Sequence, residues 1–165
     1  QAEDGIRDRR PSRGLGDVYK RQREMIQANR GDRQSGCVVG LHYHLHQADY
    51  WYVPFGTVRV VLHDLRQGSP TEGVTEETDL VGTKHRGIYI PPGVAHGFAT
   101  LTDATITYMV DSYYNPSDEL GVAWNDPEIA ADWGVDNPTL SERDQSNPLR
   151  NAIPEVDQPR YGLRN

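Results

Sequence analysis

Several things are scarce in this chain, and each scarcity excludes something. Of its 165 residues only one is a cysteine, Cys37, so no disulfide can close within the chain. No apolar run approaches the roughly 20 residues that cross a bilayer. The first residues have no apolar core of the kind a secretory signal needs. These absences predict a cytoplasmic, soluble protein with no membrane partner. Cationic charge is in deficit: 17 Lys and Arg stand against 24 Asp and Glu, for a net charge of −7. A basic nucleic-acid surface is thereby excluded as the main function. A Gly-rich phosphate loop, a Ser/His/Asp order and a CxxC pair are all missing. Hydrophobic residues make up 36% and the mean hydropathy is −0.73, both low for a compact domain. The apolar content that exists is concentrated in the middle as Leu, Val and Tyr. The length allows one domain, with or without tails.

Residues 1–22, QAEDGIRDRRPSRGLGDVYKRQ, stand apart. They hold six basic and four acidic residues, and their few apolar residues follow neither a helical nor a strand period. A disordered arm and a basic nucleotide-binding arm are two readings of this segment. A third is that it resembles translated sequencing-adapter sequence, a non-native scar. It is set aside on that reading. The remaining 143 residues carry a net charge of −9. They divide into a domain over 23–150 and a tail over 151–165.

What is present is a succession of short β segments. Residues 24–28, 37–46, 49–54, 57–65, 87–91, 97–101 and 105–112 are rich in Val, Ile, Thr and Tyr. Turn residues separate them, including Pro54-Phe55-Gly56, Gly68-Ser69-Pro70 and Pro91-Pro92-Gly93. Many short strands with regular turns predict an all-β sandwich or barrel. No helical run of about ten residues separates them, which argues against a parallel α/β fold. After Asn115 six prolines leave room only for short helical turns. An irregular C-terminal arm lying over the β core is expected.

The 37–46 segment carries the first functional clue. His42, His44 and His46 share one parity, so on a strand they share one face, with Leu41, Tyr43 and Leu45 on the other. A solvated His-rich edge is the plain alternative. The surrounding pattern, GLHYHLHQADYWYVPFG over 40–56, resembles the first motif of the cupin superfamily, with Asp49 where Glu is usual. Pro91-Pro92-Gly93-Val94-Ala95-His96 matches the core of the second, although Thr100 stands where Asn is usual. The resemblance implies a jelly-roll barrel, the double-stranded β-helix of the cupins. Two His from one strand face, a carboxylate and a third His can converge inside such a barrel. His42, His44, Asp49 and His96 would then suit one divalent transition metal.

A longer string of matches narrows the family. Gln27-x-Asn29, Gly40-Leu41-His42-Tyr43, Asp64-Leu65-Arg66 with Ser69-Pro70-Thr71-x-Gly73, and Ile90 through Phe98 all occur in order. So do Tyr113-Tyr114-Asn115-Pro116, Gly121 through Pro127, and Leu140-Ser141-Glu142-Arg143-Asp144. From about residue 25 to 150 the chain is similar to the dTDP-4-dehydrorhamnose 3,5-epimerases, which are cupin-fold isomerases of dTDP-rhamnose biosynthesis. The resemblance implies His42 as general base, Asp144 as its partner carboxylate and Tyr108 as the opposing acid. It places Gln27, Asn29, His96, Tyr114 and Trp124 at the nucleotide-sugar substrate. It also implies a homodimer and no cofactor. Elementary chemistry agrees with these residue types. A 4-keto sugar has acidified C–H bonds at C3 and C5, because the carbanion delocalises onto the ketone oxygen. A neutral imidazole, with an ordinary pKa of ~6.5, can take such a proton. A carboxylate behind the ring fixes its tautomer. A Tyr hydroxyl can protonate the opposite face. Packing alone would equally explain Tyr108, Tyr114 and Trp124, and a helix cap would explain Asp144.

The match also has gaps. Val39 stands where the family has an Arg that helps hold the diphosphate. Asp49 stands where it has a Lys associated with enolate charge. An anion beside a developing negative charge should raise the barrier. Residues 1–22 have no counterpart of the family's N-terminal arm. Candidates for the missing charge are Arg30, Arg33, Arg59, a partner subunit or a metal. Three readings stay open at this level: a nucleotide-sugar epimerase, a metal-dependent cupin enzyme, and a non-catalytic sugar-binding cupin. The first two compete for His42, which cannot be both ligand and base.

Overall fold

The computed structural model describes residues 23–162, so the segment 1–22 lies outside the described residues. Among the described residues nine strands form two antiparallel sheets. They are β1 (Gln27–Arg33), β2 (Val38–Tyr43), β3 (Asp49–Phe55), β4 (Thr57–Asp64), β5 (Thr75–Val81), β6 (Gly87–Ile90), β7 (Val94–Thr100), β8 (Ala104–Val110) and β9 (Leu120–Gly121). One sheet runs β1-β8-β3-β6 and the other β5-β4-β7-β2-β9. The two sheets face each other as a jelly roll, as the alternation of apolar residues predicts. Among the described residues no helix is long and apolar enough to cross a membrane.

Two apolar clusters hold this arrangement. The inner one lies between the sheets and joins Trp51 and Val53 of β3 to Val58 and Val60 of β4, Phe98 of β7 and Ile106 of β8. The outer one lies on the far side of the five-stranded sheet. There Val38, Leu41 and Tyr43 of β2, Val61 of β4, and Ala95 and Ala99 of β7 meet Val122, Ile129, Trp133 and Ile153 of the C-terminal arm. Strand β7 is buried along its whole length because both faces are covered. That explains its composition: Val94, His96 and Phe98 face inward, and the small Ala95, Gly97 and Ala99 lie under the arm. A Cβ at Gly97 would stand 2.8 Å from the Trp133 ring.

The sequence-based boundaries need correction in four places. Strand β5, TEETDLV, was not expected. It is an edge strand on which only Leu80 is fully buried, so charged residues hide its period. Strand β1 lies three to five residues later than 24–28. Its pairing with β8 is an edge pairing of residues with weak β propensity. The 37–46 segment ends as a strand at Tyr43. Residues 151–162, set apart as a tail, pack on the barrel through Ile153 and a bridge from Arg160 to Gln67.

One family-like segment has a structural role here. Asp64 at the end of β4 accepts hydrogen bonds from the Arg66 guanidinium, Ser69 Oγ and Thr71 Oγ1 at 2.6–2.8 Å. Burial alone would raise its carboxyl, but these bonds outweigh burial and hold it well below the usual range. Asp64-Leu65-Arg66 and Ser69-Pro70-Thr71 thus clasp the turn into β5.

Candidate active site

A cavity of about 280 Å³ opens between the two sheets. The five-stranded sheet contributes Val39, His42, His96 and Phe98, and the facing sheet Asp49, Trp51, Ile106 and Tyr108. Strand alternation alone would put Val39 and His42 on opposite faces. The pairing of β2 with β7 shifts register between them, and Gly40 takes a φ of +111° at that point. A side chain is also sterically barred there, since a Cβ on Gly40 would stand 2.8 Å from the Gly97 backbone. This bulge brings both residues to the cavity. Beyond it alternation resumes: His42 and His44 face inward, and Leu41, Tyr43 and Leu45 pack on the outer cluster. His46 departs from the predicted face. Asp118 accepts hydrogen bonds from the Leu45, His46 and Gln47 amides at 2.6–3.2 Å and bends the chain after β2. His46 therefore lines a separate groove with Arg23, Arg66 and Pro92.

Asp144 arrives from the C-terminal arm. It sits in the single helical turn α1 (Glu142–Gln145), capped by Ser141. Ser141 Oγ accepts from the Asp144 amide at 3.1 Å and donates to Asp144 Oδ2 at 2.8 Å. The remaining carboxylate oxygen, Oδ1, meets His42 Nε2 at 2.6 Å. Burial pushes the Asp144 carboxyl up. The hydrogen bonds from His42 and Ser141 and the His42 charge outweigh it, so the net shift is downward. Asp144 is thus a carboxylate that fixes the proton on His42 Nε2 and leaves the Nδ1 lone pair available. Tyr108 reaches the cavity from β8, in the opposite sheet. Burial, then the charges of Asp49 and Glu119, raise its hydroxyl, so it keeps its proton.

His44, Asp49 and His96 form a second group. Their ligating atoms lie within 4.8 Å of one another. His42 is not part of it, since it is not among the residues whose ligating atoms all come within that distance of one another. This corrects the four-residue set drawn from the sequence, and the base and a ligand set no longer compete for one side chain. Gln47 Nε2 and Trp51 Nε1 donate to Asp49 at 2.9 and 3.0 Å. Burial pushes the His96 ring down to about 4, against the pull of Asp49.

Other expected residues scatter. Asn29 pairs in register with Tyr108, and Gln27 donates to Asn29 at 3.0 Å, but neither lines the cavity. Trp124 packs against the outer cluster, and its carbonyl accepts from Trp133 Nε1 at 2.9 Å. Tyr114 is 65% exposed. Of the cations, Arg30 and Arg33 line the cavity, whereas Arg59 is bonded to Asp79 and Asp132 on the outer face. Arg143 also lines the cavity and pairs with Glu119 at 3.2 Å. Neither it nor Asp118 was singled out from the sequence, because both act through contacts distant in the chain. The Ser141 cap was legible, since Ser three residues before an acid is a helix-start signature. Cys37 is half-buried and takes part in a backbone bridge to Thr139.

The profile of the family described as dTDP-4-dehydrorhamnose 3,5-epimerase matches residues 14–151. A dTDP-4-dehydrorhamnose 3-epimerase of Streptomyces niveus is 41% identical over 125 residues, which is 73% of this chain and 60% of that protein. A dTDP-4-dehydrorhamnose 3,5-epimerase of Shigella flexneri is 36% identical over 128 residues, 75% of this chain and 71% of its own length. Among solved structures, the dTDP-6-deoxy-D-glucose-3,5-epimerase of Legionella pneumophila, in complex with dTDP-4-keto-L-rhamnose, superposes with a TM-score of 0.83 at 32% identity. It covers 99% of this chain and 89% of its own. The chain thus spans 60–71% of the length of these two sequence relatives.

Proposed function

Because the chain belongs to the dTDP-4-dehydrorhamnose 3,5-epimerase family, we propose that it epimerises a dTDP-4-keto-6-deoxy sugar by proton transfer beside the C4 ketone. The observation that carries this reading is the His42–Asp144 pair, bonded at 2.6 Å in a cavity that Tyr108 faces from the opposite sheet. His42 Nδ1 takes the C3 or C5 proton, and the C–H electron pair moves onto the ketone oxygen as an enolate. The Tyr108 hydroxyl then delivers a proton to the other face of the same carbon, which closes the ketone again with inverted configuration. Asp144 stabilises the imidazolium between these steps. In this reading the side chains themselves supply base and acid, without a cofactor. Arg30, Arg33 and Arg143 are the cavity cations available to the diphosphate. A homodimer in a cytoplasmic setting belongs to the same proposal.

The test is NMR of the protein with dTDP-4-keto-6-deoxyglucose in D₂O, with and without chelator. Deuterium entering C3 or C5 is the expected result. No exchange with any nucleotide-linked keto sugar would remove the reading.

A further inference from the structure

The proton transfer just described leaves Asp49 unused, although it is buried in the same cavity. Its oxygens accept from Gln47 Nε2 at 2.9 Å and from Trp51 Nε1 at 3.0 Å, and both donors are neutral. His44 Nε2 at 4.0 Å and His96 Nε2 at 3.9 Å stand beyond hydrogen-bond distance. Among the described residues no Lys or Arg pairs with Asp49. Of the cavity cations, Arg30 is paired with Asp32 and Arg143 with Glu119, and Arg33 donates to the Asp32 carbonyl. The hydrogen bonds of Asp49 are thus met while its charge is not, and a buried carboxylate is costly without a positive partner. Val39 points the same way. Both residues stand where the family pattern has a cation, and Val39 lines the cavity beside the apolar Phe98 and Ile106. The interior has exchanged two positive charges for one negative charge.

We propose that Asp49 selects a 4-keto-6-deoxy sugar carrying an ammonium group at C3, so that the substrate brings a cation which the family pattern supplies from the protein. This rests on the epimerase reading and narrows its substrate class. The enolate develops negative charge on the ketone oxygen at C4, and a cation nearby lowers that barrier. Of the two carbons that flank the ketone, C5 already carries the ring oxygen and the C6 methyl, so C3 is where an amino group can stand. An ammonium there offsets the Asp49 charge that otherwise opposes the enolate. It also gives the carboxylate a charge-assisted hydrogen bond, where a C3 hydroxyl gives only a neutral one. His96 offers a further acceptor, since its Nδ1 donates to the Val94 carbonyl at 2.9 Å and the neutral ring turns Nε2 toward Asp49.

Calorimetry with two stable nucleotide sugars tests this without turnover. dTDP-3-amino-3,6-dideoxygalactose and dTDP-6-deoxygalactose differ only in an ammonium against a hydroxyl at C3. The wild type should bind the amino sugar at least ~10-fold more tightly, the margin of a charged over a neutral hydrogen bond. Asp49→Asn should abolish the difference and Asp49→Lys should invert it. The 3-acetamido analogue keeps the nitrogen without its charge and should lose the preference in the wild type, so the ligand series decides should a variant fail to fold. Equal affinities in the wild type overturn the proposal, assign the balancing charge to His44 and leave the epimerase reading standing. A preference that Asp49→Asn retains, or an acetamido sugar bound as tightly as the amino sugar, overturns it as well. Binding of none of these sugars removes both readings.

Discussion

His42 and His44 lie two residues apart and enter the same cavity, yet they meet their carboxylates differently. His42 is bonded to Asp144 at 2.6 Å, whereas His44 stands 4.0 Å from Asp49. The difference follows from which ring nitrogen the surroundings engage. For His42 it is Nε2, held by a carboxylate, which puts a counter-charge behind the ring on the side away from Nδ1. For His44 it is Nδ1, bonded to the Asp118 carbonyl with the Glu119 carboxylate 3.7 Å away, and Nε2 stands 4.0 Å from Asp49. The first arrangement stabilises a transient imidazolium and suits proton transfer. The second has no carboxylate within hydrogen-bond distance of the ring and so no such pair. Identical side chains on one strand face thus acquire distinct chemistry from their hydrogen-bond partners.

The comparison can be broken at several points. His42→Asn should have the largest effect, lowering deuterium exchange by ~10⁴-fold, because the base is lost outright. Exchange that persists near the wild-type rate would place the base elsewhere. Asp144→Asn should cost ~10²–10³-fold, since the amide no longer fixes the ring's proton or balances the imidazolium. A loss confined to KM would contradict that role. Tyr108→Phe should separate two readouts. Inversion falls by ~10²-fold while exchange falls less, because His42 can still remove and return a proton on one face. Equal losses would mean that Tyr108 is not the opposing acid.

A third buried histidine sharpens the contrast from outside the cavity and gives the smallest effect. His63 Nδ1 bonds to Thr75 Oγ1 at 2.9 Å, and its Nε2 is buried without a partner. Burial, and secondarily the Arg150 charge, push this ring down to about 4. The unfolded chain therefore binds the proton more readily between about pH 6.5 and pH 4. Stability is full above that window and falls by on the order of 2–3 kcal/mol as pH drops through it. His63→Leu should remove this share. In urea melts at pH 5 and pH 8, the gap between midpoints should narrow relative to wild type. An unchanged gap would assign the acid sensitivity to other groups.

Much of this molecule was legible in the order of its residues. Alternation in Leu41, Tyr43 and Leu45 against His42 and His44 is a local property of extended backbone, and it holds in the structure. The turns marked by Pro and Gly separate real strands. Strand β5 escaped because an acidic edge strand buries too little to show a period. His46 was misplaced because parity applies only while the strand lasts, and Asp118 ends it. Val39 reached the cavity against its parity through the bulge at Gly40. Asp49 was recognised as a departure from the family's Lys, but its partners could not be read from that substitution.

The sequence by itself determined the two-sheet β architecture, the inward face of the His42 strand and the family. These rest on periodicity and on motifs that span a few residues each. Tertiary structure alone decided which partner each histidine meets. His42 meets Asp144 across 102 residues of chain, and His44 meets the Asp118 carbonyl across 74. No local pattern encodes which ring nitrogen such a distant partner will engage. Yet that engagement sets which ring atoms the two histidines present to the cavity they share.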